Sequence, residues 1–404
     1  MAVGPTIEVQ YHPIAGLCLG TAQAGIKTLD RKDLVVIQAQ AGTTMAGVFT
    51  ANAFCAAPVH LCRRHLAADQ PLALVVNTGN ANAGTGVAGD ADALATCVAL
   101  AQELGLSSSQ VLPFSTGVIG EKLPVEKIIK HLPEAVSALD SNGWQDAAWG
   151  ILTTDTCPKG ASVQIQHQGQ TISLSGISKG SGMIRPNMAT MLAFVATDAT
   201  CSPALIQELL DQSVNHSFNR ITVDGDMSTN DSCILMATGV SDLSLDDDAE
   251  LKQKFSVALV KLMQQLAHAI VRDGEGATKF ISVEVAGGAN AEECLQVAYA
   301  IAHSPLTKTA MFASDANWGR ILAAVGYAGV PDLDVNTLTI HLGDTLLVEQ
   351  GGRAQSYTEA AGQRVMDEEE ITIAVDLNRG TAKEIVWTTD LSYDYIKINA
   401  DYRS

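Results

Sequence analysis

The 404-residue sequence has no CxxC pair, no HxH or HExxH spacing and no apolar run of membrane-spanning length. Its eight cysteines are scattered, which in a chain this long reads as reduced, mostly buried thiols rather than a disulfide framework. Its nine histidines lack metal-ligand spacing, so no metal and no cofactor is expected. His60 and His65 flank Arg63-Arg64, which reads as a solvated basic surface. With a net charge of −19 the chain lacks the basic patch that nucleic acid or an anionic membrane needs. An anionic small substrate is not excluded, because a few local cations suffice to bind one. The segment around Glu8, Tyr11 and His12 lacks the basic-then-apolar pattern of a signal peptide, so a cytoplasmic protein is expected. No linker, low-complexity segment or repeat interrupts the chain.

What is present is apolar material: 47% hydrophobic residues, enough for two or three lobes. One stretch stands out, Lys179-Gly-Ser-Gly-Met-Ile-Arg-Pro-Asn-Met-Ala-Thr190 followed by Met191 to Ala196. A glycine-rich loop runs into six apolar residues, a length that suits a strand buried on both faces. Thr190 stands at the join, where a rigid strand would fix a nucleophile and the loop would leave room around it. Threonine is also an ordinary first residue for a strand.

Upstream, Leu34–Ile37, Ala46–Thr50 and Leu72–Val76 read as strands. The last feeds Asn77-Thr-Gly-Asn-Ala-Asn-Ala-Gly-Thr-Gly86, a loop of small residues whose bare amides suit either an anion or a tight connection. A helix follows over 90–104, then a strand at Val111–Phe114 opening into Ser115-Thr-Gly-Val-Ile-Gly120. Residues 134–140 and 144–151 read as helices, and Val163 to Leu174 as a hairpin around Gln168-Gly-Gln170. Downstream, Ser202-Pro203 caps a helix, and a long helix from about Asp246 ends where Gly274 supplies a left-handed turn. From Phe280 a smaller αβ lobe is expected: a strand at 281–285, helices at 291–302 and 318–325, and strands near 338–348, 371–377 and 384–388. The polar tail Asn399 to Ser404 would ordinarily fray.

Two chemistries compete around Thr190. Gly176-Ile-Ser-Lys-Gly180 matches the nucleophile-elbow pattern, but Ser-Gly-Met-Ile-Arg-Pro follows it, and no helix can start there promptly as an elbow requires. The alternative is self-cleavage. Attack by Thr190 on the Ala189 carbonyl would give an ester by N-to-O acyl shift, and hydrolysis would leave Thr190 as a new N-terminus. Its amine, with an intrinsic pKa of about 7.7–8.0, suits a general base at neutral pH. Met-Ala-Thr recurs at 236–238, so the tripeptide alone is not diagnostic.

The segment Lys179-Gly-Ser-Gly-Met…Met-Ala-Thr-Met-Leu192 resembles the self-cleavage motif of the ornithine acetyltransferase family. Asn77–Asn82, Ser115–Gly120, Thr153-Thr-Asp-Thr156, Arg272-Asp-Gly-Glu-Gly-Ala-Thr-Lys279, Asp315-Ala-Asn-Trp-Gly-Arg320 and the Asn399…Ser404 terminus agree with it in order, across nearly the whole chain. One departure is Gly84, where many relatives carry cysteine.

The resemblance implies an α/β fold, a self-cleaving α/β sandwich of the ornithine acetyltransferase or DmpA-like type with a smaller C-terminal αβ lobe. It implies an α chain of 1–189 and a β chain of 190–404, with 190–279 completing the sandwich and 280–404 forming the lobe. It implies transfer of acetyl from N2-acetyl-L-ornithine to L-glutamate by a ping-pong route through acetyl-Thr190. Bifunctional members also accept acetyl-CoA, as a substrate rather than a cofactor. Thr116 and Gly117 would form the oxyanion hole, while Thr153, Lys179, Thr190, Glu275, Asn399 and Ser404 would bind substrate. In that reading the tail is folded in. The product chains would remain together as α2β2. Two other readings are open: a self-cleaving N-terminal-threonine amidase or aminopeptidase, and an uncleaved amino-acid-binding protein.

Overall fold

The computed structural model describes residues 2–4, 8–185 and 191–400. The chain forms two compact units. The larger comprises residues 8–219 and Asp226–Ile270, and the smaller takes Arg220–Gly225, residues 2–4 and the chain from Val271 onward.

In chain order the larger unit begins with β1 (Leu17–Ala22), β2 (Leu34–Ala39), β3 (Thr44–Phe49), α1 (Ala57–Ala68) and β4 (Ala73–Asn80). It continues with α2 (Gly86–Leu104), β5 (Val111–Val118), α3 (Val125–Ser137), α4 (Trp144–Gly150), β6 (Lys159–His167) and β7 (Gln170–Lys179). Then come β8 (Leu192–Thr197), α5 (Pro203–Asn215), β9 (Ser232–Ala237) and the start of α6 (Ala249–Arg272).

The strands make two sheets, β1-β2-β4-β5 and β3-β9-β8-β7-β6. Alternation along each strand decides what lies between them. Leu17 and Leu19, Val35 and Ile37, Leu74 and Val76, and Leu112 and Phe114 share one buried core with Ile177, Leu192, Phe194, Ala196, Ile234 and Met236. Phe114 and Phe194 meet edge to face across it, with centroids 5.0 Å apart. The intervening residues of the first sheet, Leu34, Val36, Ala73 and Val75, face α2 and α3 through Cys97, Leu100, Ile128 and Leu132. On the second sheet a Cβ at Gly176 would meet Val195, Leu262 and Leu266, so α6 lies close over β7. α5 packs on β3 and β9. The layers are helix, sheet, sheet, helix.

This arrangement explains the six-residue apolar run. Every residue of β8 is buried because one face meets the other sheet and the other meets a helix. It also disposes of the elbow pattern. Gly176 and Ser178 lie within β7, where Ser178 is buried and its hydroxyl donates to the Leu266 carbonyl.

The smaller unit carries β10 (Phe280–Gly288), α7 (Ala291–Ala302), α8 (Pro305–Phe312), α9 (Trp318–Gly326), β11 (Thr339–Leu342) and β12 (Thr345–Glu349). β13 (Gly352–Arg353), α10 (Glu359–Met366), β14 (Glu370–Asp376), β15 (Ala382–Thr389) and α11 (Tyr393–Ala400) complete it. Its sheet runs β13-β12-β11-β14-β10-β15 over a core of its own, with α7 packed on β10 and β15.

Several local expectations are corrected. On helix α1 the expected basic surface holds for His60, Arg63 and Arg64, which are exposed, but not for His65, which is buried with Nδ1 2.7 Å from the Val111 carbonyl. The helix expected over 134–140 is α3, which starts at Val125 and keeps Pro133 inside; Ile128, Leu132 and Ala135 bury its apolar stripe. The left-handed turn after α6 falls at Gly276 (φ 69°), not Gly274. A side chain at 276 would collide with Ser392 Oγ and the Tyr395 nitrogen, each 2.5 Å away. The tail is helical as far as Ala400. Among the described residues no helix is long and apolar enough to cross a membrane.

Candidate active site

Ala189, Thr190 and Ser404 lie outside the described residues. The other expected site residues fall into three places, two in the larger unit and one in the smaller.

The first place is where β4 and β5 end. They run parallel with Thr78 level with Thr116 and Gly79 level with Gly117, and then the register slips at Asn80. Gly79 (φ 100°) and Gly117 (φ 136°) face each other across the slip. A Cβ at Gly117 would sit 2.2 Å from the Gly79 carbonyl carbon, so only glycine allows this approach. Strand β4 reaches Asn80 and β5 reaches Val118, so the small-residue loop after β4 is shorter than the sequence indicates. Uncharged side chains hold the bulge. Ser115 Oγ donates to Asn77 Oδ1 at 2.6 Å, Asn77 Nδ2 to the Asn80 carbonyl at 2.9 Å, and Asn82 N–H to Asn80 Oδ1 at 2.8 Å. Thr116 is 9% exposed, and its hydroxyl has no hydrogen-bond partner among the described residues. A free hydroxyl beside a bulged glycine amide is the material of an oxyanion hole.

The second place is the end of β7, one strand from β8. Lys179 is its last residue, buried and level with Leu192. Asp155 organises the surroundings: Oδ1 accepts from Lys159 Nζ at 2.6 Å and from Gly180 N–H at 2.7 Å, while Oδ2 accepts from Thr153 N–H at 3.1 Å. The side chains of Asp155 and Lys159 are both fully buried. Burial alone would raise this carboxyl, but the charge of Lys159, then that of Lys179, and the Lys159 and Gly180 donors hold it well below the usual carboxylate range. Thr154 Oγ1 meets Ser181 Oγ at 2.8 Å, a second tie between the two loops. Thr153 and Lys179 are thus fastened around one carboxylate. Sequence reasoning quoted Asp155 within Thr153–Thr156 and gave it no role, because nothing in the sequence marks its burial.

The third place lies in the smaller unit. Glu275, 9% exposed, follows α6, and its Oε2 accepts from Asn399 Nδ2 at 2.7 Å. Asn399 also donates to the Tyr395 carbonyl at 3.0 Å. Ser392 Oγ donates to the Gly276 carbonyl at 2.7 Å, and Asp390 accepts from Thr278 and Lys279 N–H. The turn after α6 and the start of α11 are therefore stitched together, which brings Glu275 and Asn399 into contact. Among the described residues no group of three or more His, Cys, Asp or Glu side chains is placed to hold a metal ion.

Comparison with known proteins agrees with the motifs. The ArgJ family model matches residues 18–404. The arginine biosynthesis bifunctional protein ArgJ of Pseudomonas fluorescens (strain Pf0-1) is 57% identical, and that of Pseudomonas syringae pv. tomato 56%, each over 100% of both chains. Among solved structures, the arginine biosynthesis bifunctional protein ArgJ of Bacillus halodurans is 41% identical, covering 51% of this chain and 97% of its own, with a TM-score of 0.49. Ornithine acetyltransferase of Mycobacterium tuberculosis, complexed with ornithine, is 34% identical over 43% of this chain and 93% of its own, with a TM-score of 0.40. The chain belongs to the ArgJ family.

Proposed function

We propose that this chain is the bifunctional acetyltransferase of arginine biosynthesis, a glutamate N-acetyltransferase that moves acetyl from N2-acetyl-L-ornithine to L-glutamate through acetyl-Thr190. The observation that carries the reading is the start of β8. Its first residue, Leu192, lies one residue after Met191, directly beyond the expected cut, and pairs with the buried Lys179. A chain that began at Thr190 would present its nucleophile and its amine at the end of a strand buried on both faces.

In the reaction, Thr190 Oγ attacks the acetyl carbonyl and the α-amine of the same residue takes the hydroxyl proton. Thr116 Oγ–H and Gly117 N–H hold the tetrahedral oxyanion; losing one such donor costs about 2.7–4 kcal/mol of barrier. The proton passes to the leaving amine, ornithine departs, and the glutamate amine attacks acetyl-Thr190 to complete the exchange. Lys179 takes a substrate carboxylate, Glu275 the ornithine ammonium, and Thr153, Asn399 and Ser404 complete the recognition. The same oxyanion donors serve maturation, in which Thr190 Oγ attacks the Ala189 carbonyl and water releases the α chain (1–189) from the β chain (190–404). Thr116 and Gly117 stay on one product and Thr190 on the other, which gives the pieces a reason to remain associated, as α2β2 in the cytoplasm. The relatives' name, bifunctional, supports acetyl-CoA as a second acetyl donor; no cofactor is required.

Intact-mass spectrometry with and without acetylornithine tests the proposal. Two chains are expected, the second starting at Thr190 and gaining one acetyl group, and Thr190→Ala stays whole and inactive. A single uncut chain with full activity would overturn it. Acetate release without glutamate would mark an amidase instead.

A further inference from the structure

Asp231 is a buried carboxyl that the proposed mechanism does not use. It is 1% exposed and immediately precedes β9, which pairs in parallel with β8 from Ser232 and Leu192, so Asp231 stands level with Met191. Its backbone is fixed from both neighbouring strands: Thr50 N–H donates to the Asp231 carbonyl at 3.0 Å, and Ser232 N–H to the Met191 carbonyl at 3.0 Å. The carboxyl accepts the Met191 N–H and the Ser228 hydroxyl and lies within electrostatic reach of Lys179. Its Oδ2 has no hydrogen-bond partner among the described residues. A buried polar atom left unsatisfied calls for an explanation.

The preceding residue strengthens the case. Asn230 Nδ2 donates to the Ala81 carbonyl at 2.6 Å and to the Ser115 carbonyl at 2.9 Å. Ser115 is the residue before Thr116. Two consecutive side chains therefore grip, respectively, the strand end that carries the oxyanion donors and the first peptide of the strand behind the nucleophile.

We propose that Asp231 is a positioning residue: by accepting the N–H of the Thr190–Met191 peptide, it sets where the nucleophile stands relative to Thr116 and Gly117. This rests on the reading of Thr190 as nucleophile. Burial pushes the Asp231 carboxyl well up, against the opposing pulls of Met191 N–H, Lys179 and Ser228. What matters is an acceptor at that point, not a negative charge.

Asp231→Asn keeps the acceptor and Asp231→Ala removes it. Three readouts are needed for each variant: the rate of Ala189–Thr190 cleavage by intact mass, the acetyl-enzyme burst with acetylornithine, and thermal unfolding. Asp231→Ala is expected to slow cleavage and kcat on the order of 10²-fold, the scale of a misplaced nucleophile, with KM unchanged and the burst amplitude of folded, cleaved enzyme complete. Asp231→Asn is expected to restore both rates to within a few-fold of wild type. Wild-type rates in Asp231→Ala would overturn the inference. So would an Asn variant as slow as Ala, or a burst amplitude that falls in step with the rate, which marks lost folding. Should the alanine variant not fold, the asparagine variant decides alone, and a rate below about a tenth of wild type overturns the inference. Wild-type protein that is cleaved at Thr190 but never acetylated would defeat the acetyltransferase reading instead, and the cleavage rates would then judge Asp231.

Discussion

The two sheets of the larger unit end in opposite chemistries. Where β4 and β5 stop, the buried polar groups are Asn77, Thr78, Asn80, Asn82, Ser115 and Thr116, none of them ionisable at neutral pH, gathered around two glycines in contact. Where β6, β7 and β9 meet their loops, the buried groups include Lys159, Lys179 and Asp231, with the side chain of Asp155 among them. The first end is demanding in shape and indifferent to charge. The second is stitched by long side chains that accommodate small displacements, while the loss of one charge strands another. An oxyanion forms only for the duration of a transition state, and neutral dipoles stabilise it without a standing counter-charge. The proposed substrate's carboxylate is permanently charged, and a buried lysine suits it.

Shape should therefore break the first end. Gly117→Ala places a methyl group 2.2 Å from a backbone carbon, at φ 136°, where only glycine is comfortable. Strain and overpacking together predict a loss of about 5 kcal/mol, read by denaturant unfolding. Whatever protein folds should lose acetyl transfer on the order of 10²–10³-fold, because the Gly117 amide moves. Stability within about 1 kcal/mol of wild type would mean that the bulge relaxes freely.

Charge should break the second end. Asp155→Ala strands the buried Lys159 and is expected to cost about 3–5 kcal/mol, and to raise KM as Thr153 and Gly180 lose their common acceptor. The acid limb follows from linkage. Asp155 is held below its unfolded value of about 3.9, so its contribution is complete above that pH and is lost as pH falls from there toward its folded value. Asp231 has the opposite sign. Raised by burial, it is still protonated when the unfolded chain has lost that proton, so it subtracts stability as pH rises above about 4. Unfolding midpoints against pH should show a weaker acid loss in Asp155→Asn and a smaller decline with rising pH in Asp231→Asn. Parallel curves for both variants and wild type would deny that this end is governed by charge.

Much of this scaffold was legible because apolar periodicity reports burial. The strand after Thr190, the helix at 291–302 and the Ser202 cap emerged where the pattern placed them, and Ser202 Oγ does accept from Leu205 N–H. The misreadings share a cause, since local composition spoke against what tertiary packing imposed. The expected helix began only at residue 134, after Pro133, yet α3 starts at Val125 and runs through that proline because its apolar stripe covers the first sheet. His60, Arg63 and Arg64 are exposed as they looked, but Val59, Leu61 and Cys62 pull the other face of α1 inward and bury His65 with it. Of the site, Thr116, Gly117, Lys179 and Glu275 were proposed by position, through motif resemblance. The carboxylates that hold such residues in place were not. An aspartate in Thr-Thr-Asp-Thr or Thr-Asn-Asp looks like any loop aspartate until the fold buries it.

The mildest test returns to the neutral end. Ser115→Ala removes the hydroxyl that donates to Asn77 Oδ1 at 2.6 Å, in a site where both residues are buried. Nothing charged is stranded; an amide oxygen simply loses one donor. The expected cost is about 1–2 kcal/mol, compared with the larger loss for Asp155→Ala. Asn77 Nδ2 keeps its bond to the Asn80 carbonyl, and Asn230 still holds the Ser115 backbone, so the bulge at Gly79 and Gly117 should keep its form. Acetyl transfer by the folded variant should then fall no more than a few-fold, and its unfolding midpoint should shift by the same amount at every pH where Asn77 and Ser115 are uncharged. A loss as large as that of Asp155→Ala, or one that varies with pH, would show that the neutral end is coupled to the charged one, and the Asn230–Asp231 segment, which touches both, would be the place to look for the link.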